Sequence, residues 1–158
     1  MIHKQGYGVE DAETRPIREE ISVKAFGIAY IATGAVFLAI DAVWLKLAAQ
    51  RLYRPLMGDM LVDNFKLLPA LLFYLVYIAG IVIFAISPAF GTERWTTATG
   101  YGALLGFLAY ATYDLTNQAT LRNWPVLVTI VDLSWGTFLT AFAATTGFLI
   151  VRGFISAS

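Results

Sequence analysis

The chain alternates between four long apolar runs and shorter polar connections. The runs cover residues 25–49, 67–88, 96–117 and 125–151. A bilayer core about 30 Å thick is crossed by about 20 helical residues, and each run is long enough. Backbone groups inside lipid must bond within their own segment, which favours helices. The pattern therefore predicts an all-α membrane protein, an antiparallel bundle of four transmembrane helices.

Two polar stretches flank the first run. Residues 1–24 form a mixed-charge N-terminal tail, in which Pro16 is suited to open a short juxtamembrane helix. Residues 50–66 mix apolar and charged side chains, as expected of an interfacial loop or short helix. The later connections are short, so consecutive helices should be antiparallel neighbours. The transmembrane domain is predicted to span residues 25–152.

Composition agrees with a membrane protein and argues against several kinds of site. The chain is 58% hydrophobic and only 14% charged, whereas soluble domains are about 25% charged. Its formal net charge is zero and it has no basic cluster, so we expect no nucleic-acid partner. It contains no cysteine, and its single histidine, His3, lies in the polar tail. We therefore expect no metal site and no cofactor.

Three aspartates lie inside the predicted helices, namely Asp41, Asp114 and Asp132. Each costs about 2.5–3.5 kcal/mol at a helix centre on insertion scales. Counted from the helix ends, all three lie roughly 7–12 Å inside the same membrane face. Tyr74 and Tyr77 reach this depth from the second helix. The spacing predicts one acidic layer with aromatic walls.

Helical spacing also places each aspartate on a face with small or aromatic residues, which indicates that the aspartates point into the bundle. Trp44 and Trp135 each follow an aspartate by three residues, so an indole N–H could donate to a carboxylate on a neighbouring helix. Arg122, in the last loop, is a candidate counter-charge for Asp114 or Asp132. The candidate polar site comprises Asp41, Trp44, Tyr74, Tyr77, Tyr110, Tyr113, Asp114, Asn117, Arg122, Asp132 and Trp135.

These residues have a structural interpretation and a functional one. Hydrogen-bonded polar side chains stabilise contacts between membrane helices by about 0.6–2 kcal/mol each. Ionisable groups inside a membrane are also functional candidates by default. Three carboxylates exceed what one packing contact requires, which favours a site.

The segment YDLTNQATLRNWP, followed by VDLSWG and preceded by IDAVWL in the first helix, resembles a known family. It is a family of small bacterial four-helix integral membrane proteins catalogued as a domain of unknown function. The resemblance extends over residues 25–151 and implies an inner-membrane protein without implying an activity. The motif positions that it implies are Asp41, Trp44, Tyr113, Asp114, Thr116, Asn117, Asp132 and Trp135.

Three functions stay open on the sequence. The first is a site for a lipid or another small amphiphile, in an enzyme or a carrier, where catalysis would rest on carboxylate acid–base chemistry. The second is a non-enzymatic accessory or scaffold subunit that docks on a larger membrane-protein partner. The third is a small transporter that acts as a homo-oligomer. Six lysines and arginines flank one membrane face and five the other, which favours a cytoplasmic N-terminus.

Overall fold

The computed structural model describes residues 14–62 and 64–157 of the chain, so the predictions for residues 1–13, including His3, lie outside the described part. All regular structure in the described residues is helical, and the predicted fold class is confirmed. The helices are α1 (Thr14–Ala48), α2 (Arg54–Met57), α3 (Leu67–Ile81), α4 (Ser87–Thr92), α5 (Trp95–Thr120) and α6 (Val126–Ala157).

The first helix is longer than the apolar run that predicts it. α1 begins at Thr14, with Pro16 in its first turn, where the missing N–H of proline costs no helical bond. A π-helical turn over Ala49–Tyr53 and α2 extend the same path. A 3-10 turn, Gly58–Met60, ends it, and Gly58 has φ +50°, a conformation that glycine adopts without strain. Most of the predicted interfacial segment is therefore helical.

The second helix is also one path built from several pieces. α3, the π-helical turn Val82–Ile86 and α4 run without interruption from Leu67 to Thr92. A two-residue turn leads into α5, and residues 121–125 lead from α5 into α6. These short connections make α3–α4, α5 and α6 consecutive antiparallel helices.

Within the described residues, three helical paths are long and apolar enough to cross a membrane: Val23–Met60, Leu67–Thr92 and Val126–Ile155. α5 has 26 residues, which is also sufficient for a bilayer core. It is less apolar than the other three because threonine, tyrosine and glycine are frequent in it. Many large apolar side chains on the outside of the bundle are exposed, as expected where helices face lipid.

The helices form a closed ring in which α6 packs between α1 and α5, and α3–α4 packs between α5 and α1. Small residues bring α5 and α6 together. A Cβ added to Gly102 would lie 2.9 Å from the Cβ of Ala144, and one added to Gly106 would overlap the carbonyl of Gly136. The apolar core is filled by larger side chains, including Phe37, Ile81, Ile86, Leu139 and Phe148.

Candidate functional site

Three helices meet at Asp41, which is 6% exposed on α1. The Tyr74 hydroxyl, from α3, donates to its Oδ2 at 2.7 Å. The Trp135 indole N–H, from α6, donates to its Oδ1 at 3.3 Å. Each carboxylate oxygen of Asp41 therefore has an aromatic donor from a different helix.

Asp132 is held in a similar way on α6, where it is 8% exposed. The hydroxyl of Tyr53 donates to its Oδ1 at 2.5 Å. The Trp44 indole N–H in turn donates to the Tyr53 hydroxyl at 3.2 Å. The donor comes from the π-helical turn that follows α1, so the extension of the first helix helps to build this half of the site.

The two tryptophans join these halves. The rings of Trp44 and Trp135 stack with their centroids 4.3 Å apart and their planes at 14°. Each indole donates away from the aspartate of its own helix: Trp135 bonds directly to Asp41, and Trp44 reaches Asp132 through Tyr53. Hydrogen bonds and ring stacking thus connect Tyr74, Asp41, Trp135, Trp44, Tyr53 and Asp132. We call these six residues the aromatic–acid network.

Asp114 lies on α5, outside this network of hydrogen bonds. It is 0% exposed, and neither of its carboxylate oxygens has a hydrogen-bond partner among the described residues. It lies near Asp132 of α6, across the α5–α6 interface. Arg122 is exposed in the turn before α6 and forms no hydrogen bond with Asp114.

Two of the predicted tyrosines point into the bundle without bonding to a carboxylate. The Tyr77 hydroxyl pairs with the Thr140 hydroxyl at 2.9 Å, and its ring packs edge-on against Phe37. The ring of Tyr110 covers Gly136, where an added Cβ would overlap it. Tyr110 is near enough to Asp41 and Asp132 to sense their charges, so it lines the site from α5.

Tyr113 and Asn117 lie towards the outside of α5. Tyr113 is 57% exposed, and its ring meets the edge of Trp124 with the centroids 5.8 Å apart. Asn117 follows one helical turn later and is half-buried. These two residues therefore flank Asp114 and lie outside the aromatic–acid network.

The site predicted from the sequence omits several polar side chains that take part in hydrogen bonds at or near the site. Tyr53 is the most important of them, and its only sequence signal is the apolar spacing of Leu52 and Leu56, which continues the first helix through the polar segment. The others are Gln118, Trp124 and Thr129, which form a small cluster one helical turn from Asp114. There the Trp124 indole donates to the Thr129 hydroxyl at 3.1 Å, and this hydroxyl donates to the side-chain amide oxygen Oε1 of Gln118 at 2.9 Å.

A groove about 250 Å³ in volume lies between α1 and α3. Its walls are largely apolar and are formed by Tyr30, Ile31, Gly34, Ala35, Leu38, Leu71, Tyr74, Leu75 and Ile78. The Tyr30 hydroxyl donates to the Leu75 carbonyl at 3.0 Å, which ties the two walls together. Tyr74 is shared, since its ring lines the groove and its hydroxyl bonds to Asp41.

The chemistry of the site is that of carboxylates, phenols and indoles. Over residues 23–62 and 64–155 no three His, Cys, Asp or Glu side chains are grouped so that they could hold a metal ion. Phenol and indole groups donate single hydrogen bonds, and carboxylates accept them or bind a cationic group. The arrangement is therefore suited to polar recognition inside an apolar environment.

A family model described as "Predicted membrane protein (DUF2177)" matches residues 26–149 of the chain. The matched range includes all eleven residues of the predicted polar site and Tyr53. No curated protein and no solved structure matches the chain.

Proposed function

The chain belongs to the DUF2177 family of predicted membrane proteins, and on that premise we propose that it binds a lipid or another small amphiphile within the bilayer. An acyl chain occupies the groove between α1 and α3. The polar head of the amphiphile meets Tyr74 and Asp41 at the edge of the aromatic–acid network.

A single residue carries this proposal. An amphiphile needs an apolar surface and a polar group in contact with each other, and Tyr74 supplies both. Its ring is part of the groove wall, while its hydroxyl donates to Asp41 at 2.7 Å. The hydroxyl oxygen keeps an acceptor position for a donor on the ligand, so a head group can join the network without displacing Asp41.

The size and exposure of the groove support a single acyl chain as its occupant. Its volume of about 250 Å³ is below the roughly 300–1,000 Å³ of pockets that enclose a drug-sized ligand. Ile31, Leu71 and Leu75 on its walls are exposed on the outside of the bundle. A ligand can therefore enter sideways from the lipid, with part of its chain left in the bilayer.

We further propose that α5 is the fourth transmembrane helix and that the protein lies in a bacterial inner membrane with its N-terminus in the cytoplasm. The family resemblance supports the location, and the six lysines and arginines against five support the orientation.

Filling the groove tests the proposal. Ala35 is exposed and lines the groove, so the phenyl ring of Ala35→Phe should fill the space proposed for the acyl chain without entering the core. We expect at least about a tenfold loss of affinity, or 1.4 kcal/mol, for 1-monopalmitoylglycerol. Native mass spectrometry of the delipidated protein in detergent would measure the bound fraction during a titration.

The matched control is Ala39→Phe, an exposed position on the same helix that is not part of the groove wall. This substitution adds the same ring, and the variant should bind 1-monopalmitoylglycerol with the affinity of the unmodified protein. Equal affinity of the Ala35→Phe and Ala39→Phe variants would reject the groove as the binding site.

A further inference from the structure

Asp114 and Asp132 face each other across the α5–α6 interface, and we propose that they bind one monovalent cationic group. The group is either a free ion such as Na⁺ or ammonium, or the amine of a lipid head group. This inference does not depend on the groove or on its occupant.

The register of the two helices places the carboxylates opposite each other. On one side of the pair, the ring of Tyr110 covers Gly136. On the other side, Thr129 donates to Gln118 at 2.9 Å. Asp114 lies midway between Tyr110 and Gln118 on α5, and Asp132 lies between Thr129 and Gly136 on α6. Because the helices are antiparallel, moving one turn along both helices from either of these two contacts arrives at Asp114 and Asp132.

Asp114 points to a ligand because it is completely buried and unpartnered. Its exposure is 0%, and neither oxygen accepts or donates a hydrogen bond among the side chains described, those of residues 23–62 and 64–155. A buried carboxylate without hydrogen bonds or a counter-charge is strongly unfavourable. A proton shared directly with Asp132 would require a hydrogen bond between the two carboxylates, and Asp114 makes none. A cationic group between them would supply the missing partner.

The ligand set indicates a single positive charge. Calcium takes 6–8 oxygen ligands and magnesium demands a near-octahedral set, whereas this interface offers two carboxylates. An ammonium group carries several N–H donors around one charge and can bridge two facing carboxylates. Tyr53 donates to Asp132, and the ring of Tyr110 covers Gly136 one turn away. Aromatic rings at the edge of the pair favour a cation over a neutral ligand.

The thermal stability of the full chain in detergent would test this proposal. NaCl, KCl or NH₄Cl would replace choline chloride at constant ionic strength, so that only the identity of the cation changes. A cation that binds the folded state raises the midpoint of unfolding in a saturable way. A second arm would compare hexadecylamine with hexadecanol, which share a chain and differ in charge.

Asp114→Asn removes the charge with little change in shape and should weaken the cation response at least about tenfold. Asp59→Asn is the matched control, since Asp59 is exposed in the 3-10 turn Gly58–Met60, and it should respond as the unmodified protein does. Asp132→Asn provides a second variant if Asp114→Asn does not fold. The cation series on the unmodified protein is independent of both.

Each outcome decides the proposal. A saturable response to Na⁺, K⁺ or NH₄⁺ that Asp114→Asn weakens supports a free ion. A response restricted to hexadecylamine and weakened by Asp114→Asn supports a head-group amine. No response in either arm, or a response unchanged in Asp114→Asn and Asp132→Asn, would overturn it.

Discussion

Asp41 and Asp132 are both kept inside the bundle by aromatic donors from other parts of the chain. Tyr74 and Trp135 donate to Asp41, and Tyr53 donates to Asp132. An aromatic side chain brings one O–H or N–H on a large apolar ring. It can therefore satisfy a carboxylate without adding a second charge to the membrane interior, where each charge is costly.

Removing the Tyr53 hydroxyl should destabilise the protein. Tyr53→Phe leaves the ring in place but deprives Asp132 of its donor and Trp44 of its acceptor. A buried polar group left without its partner costs about 1–3 kcal/mol, so we expect a loss of that size in the free energy of unfolding. Denaturant unfolding in mixed micelles would measure it. Tyr101→Phe, at an exposed position of α5, is the control, and an equal stability of both variants would contradict the assigned role of Tyr53.

The sequence predicts part of this chemistry and misses the rest for physical reasons. Depth and helical spacing predict aspartates that hydrogen-bond to tyrosine and tryptophan, which the structure confirms for Asp41 and Asp132. Tyr53 is missed because it lies at the end of the π-helical turn Ala49–Tyr53, which changes the angle per residue on which helical spacing depends. The sequence does not predict that Asp114 has no hydrogen-bond partner, because three-dimensional packing, rather than any local pattern, decides which donors reach it.

At the scale of the helices, two π-helical turns explain why the sequence predicts the C-terminal ends of the first two helices too early. The turns Ala49–Tyr53 and Val82–Ile86 each end two residues before a proline, Pro55 and Pro88. A proline inside a helix removes one backbone hydrogen bond and clashes with the preceding turn. A locally widened turn accommodates both effects, so the helix continues where a proline suggests its end.

The α5–α6 interface should be intolerant of added methyl groups only where the backbones touch. In Gly106→Ala, the new Cβ overlaps the carbonyl of Gly136, and overpacking of this kind costs about 1–3 kcal/mol. In Gly100→Ala, on the same helix, the Cβ meets nothing within 4 Å, and replacing a helical glycine favours folding by about 0.5–1 kcal/mol. Paired unfolding curves should therefore shift in opposite directions. A destabilised Gly100→Ala variant together with a neutral Gly106→Ala variant would contradict the helix register.

At the scale of the whole molecule, α5 is the one of the four long helical paths in the described residues that falls below the hydropathy expected of a membrane span. It carries Asp114, Tyr110 and the glycines that contact α6, while the other three paths meet the hydropathy expected of a membrane span. A helix that packs closely against its neighbours needs fewer large apolar residues. This explains why α5 has the length of a span and a lower hydropathy.

Whether α5 crosses the bilayer can be tested through the loops at its two ends. Thr92 precedes α5, Leu121 follows it, and Asn64 lies in the connection after the first helix; all three are exposed. The chain has no cysteine, so a single introduced cysteine is the only labelling site in each variant. None of the three positions is charged, and the lysine and arginine balance that orients the protein is unchanged.

If α5 crosses, a membrane-impermeant maleimide added to sealed vesicles should label the Thr92→Cys variant from one side. It should label the Leu121→Cys and Asn64→Cys variants from the other. A permeant maleimide should label all three, which shows that each cysteine is reactive. Labelling of Thr92→Cys and Leu121→Cys from the same side would mean that α5 does not span the membrane.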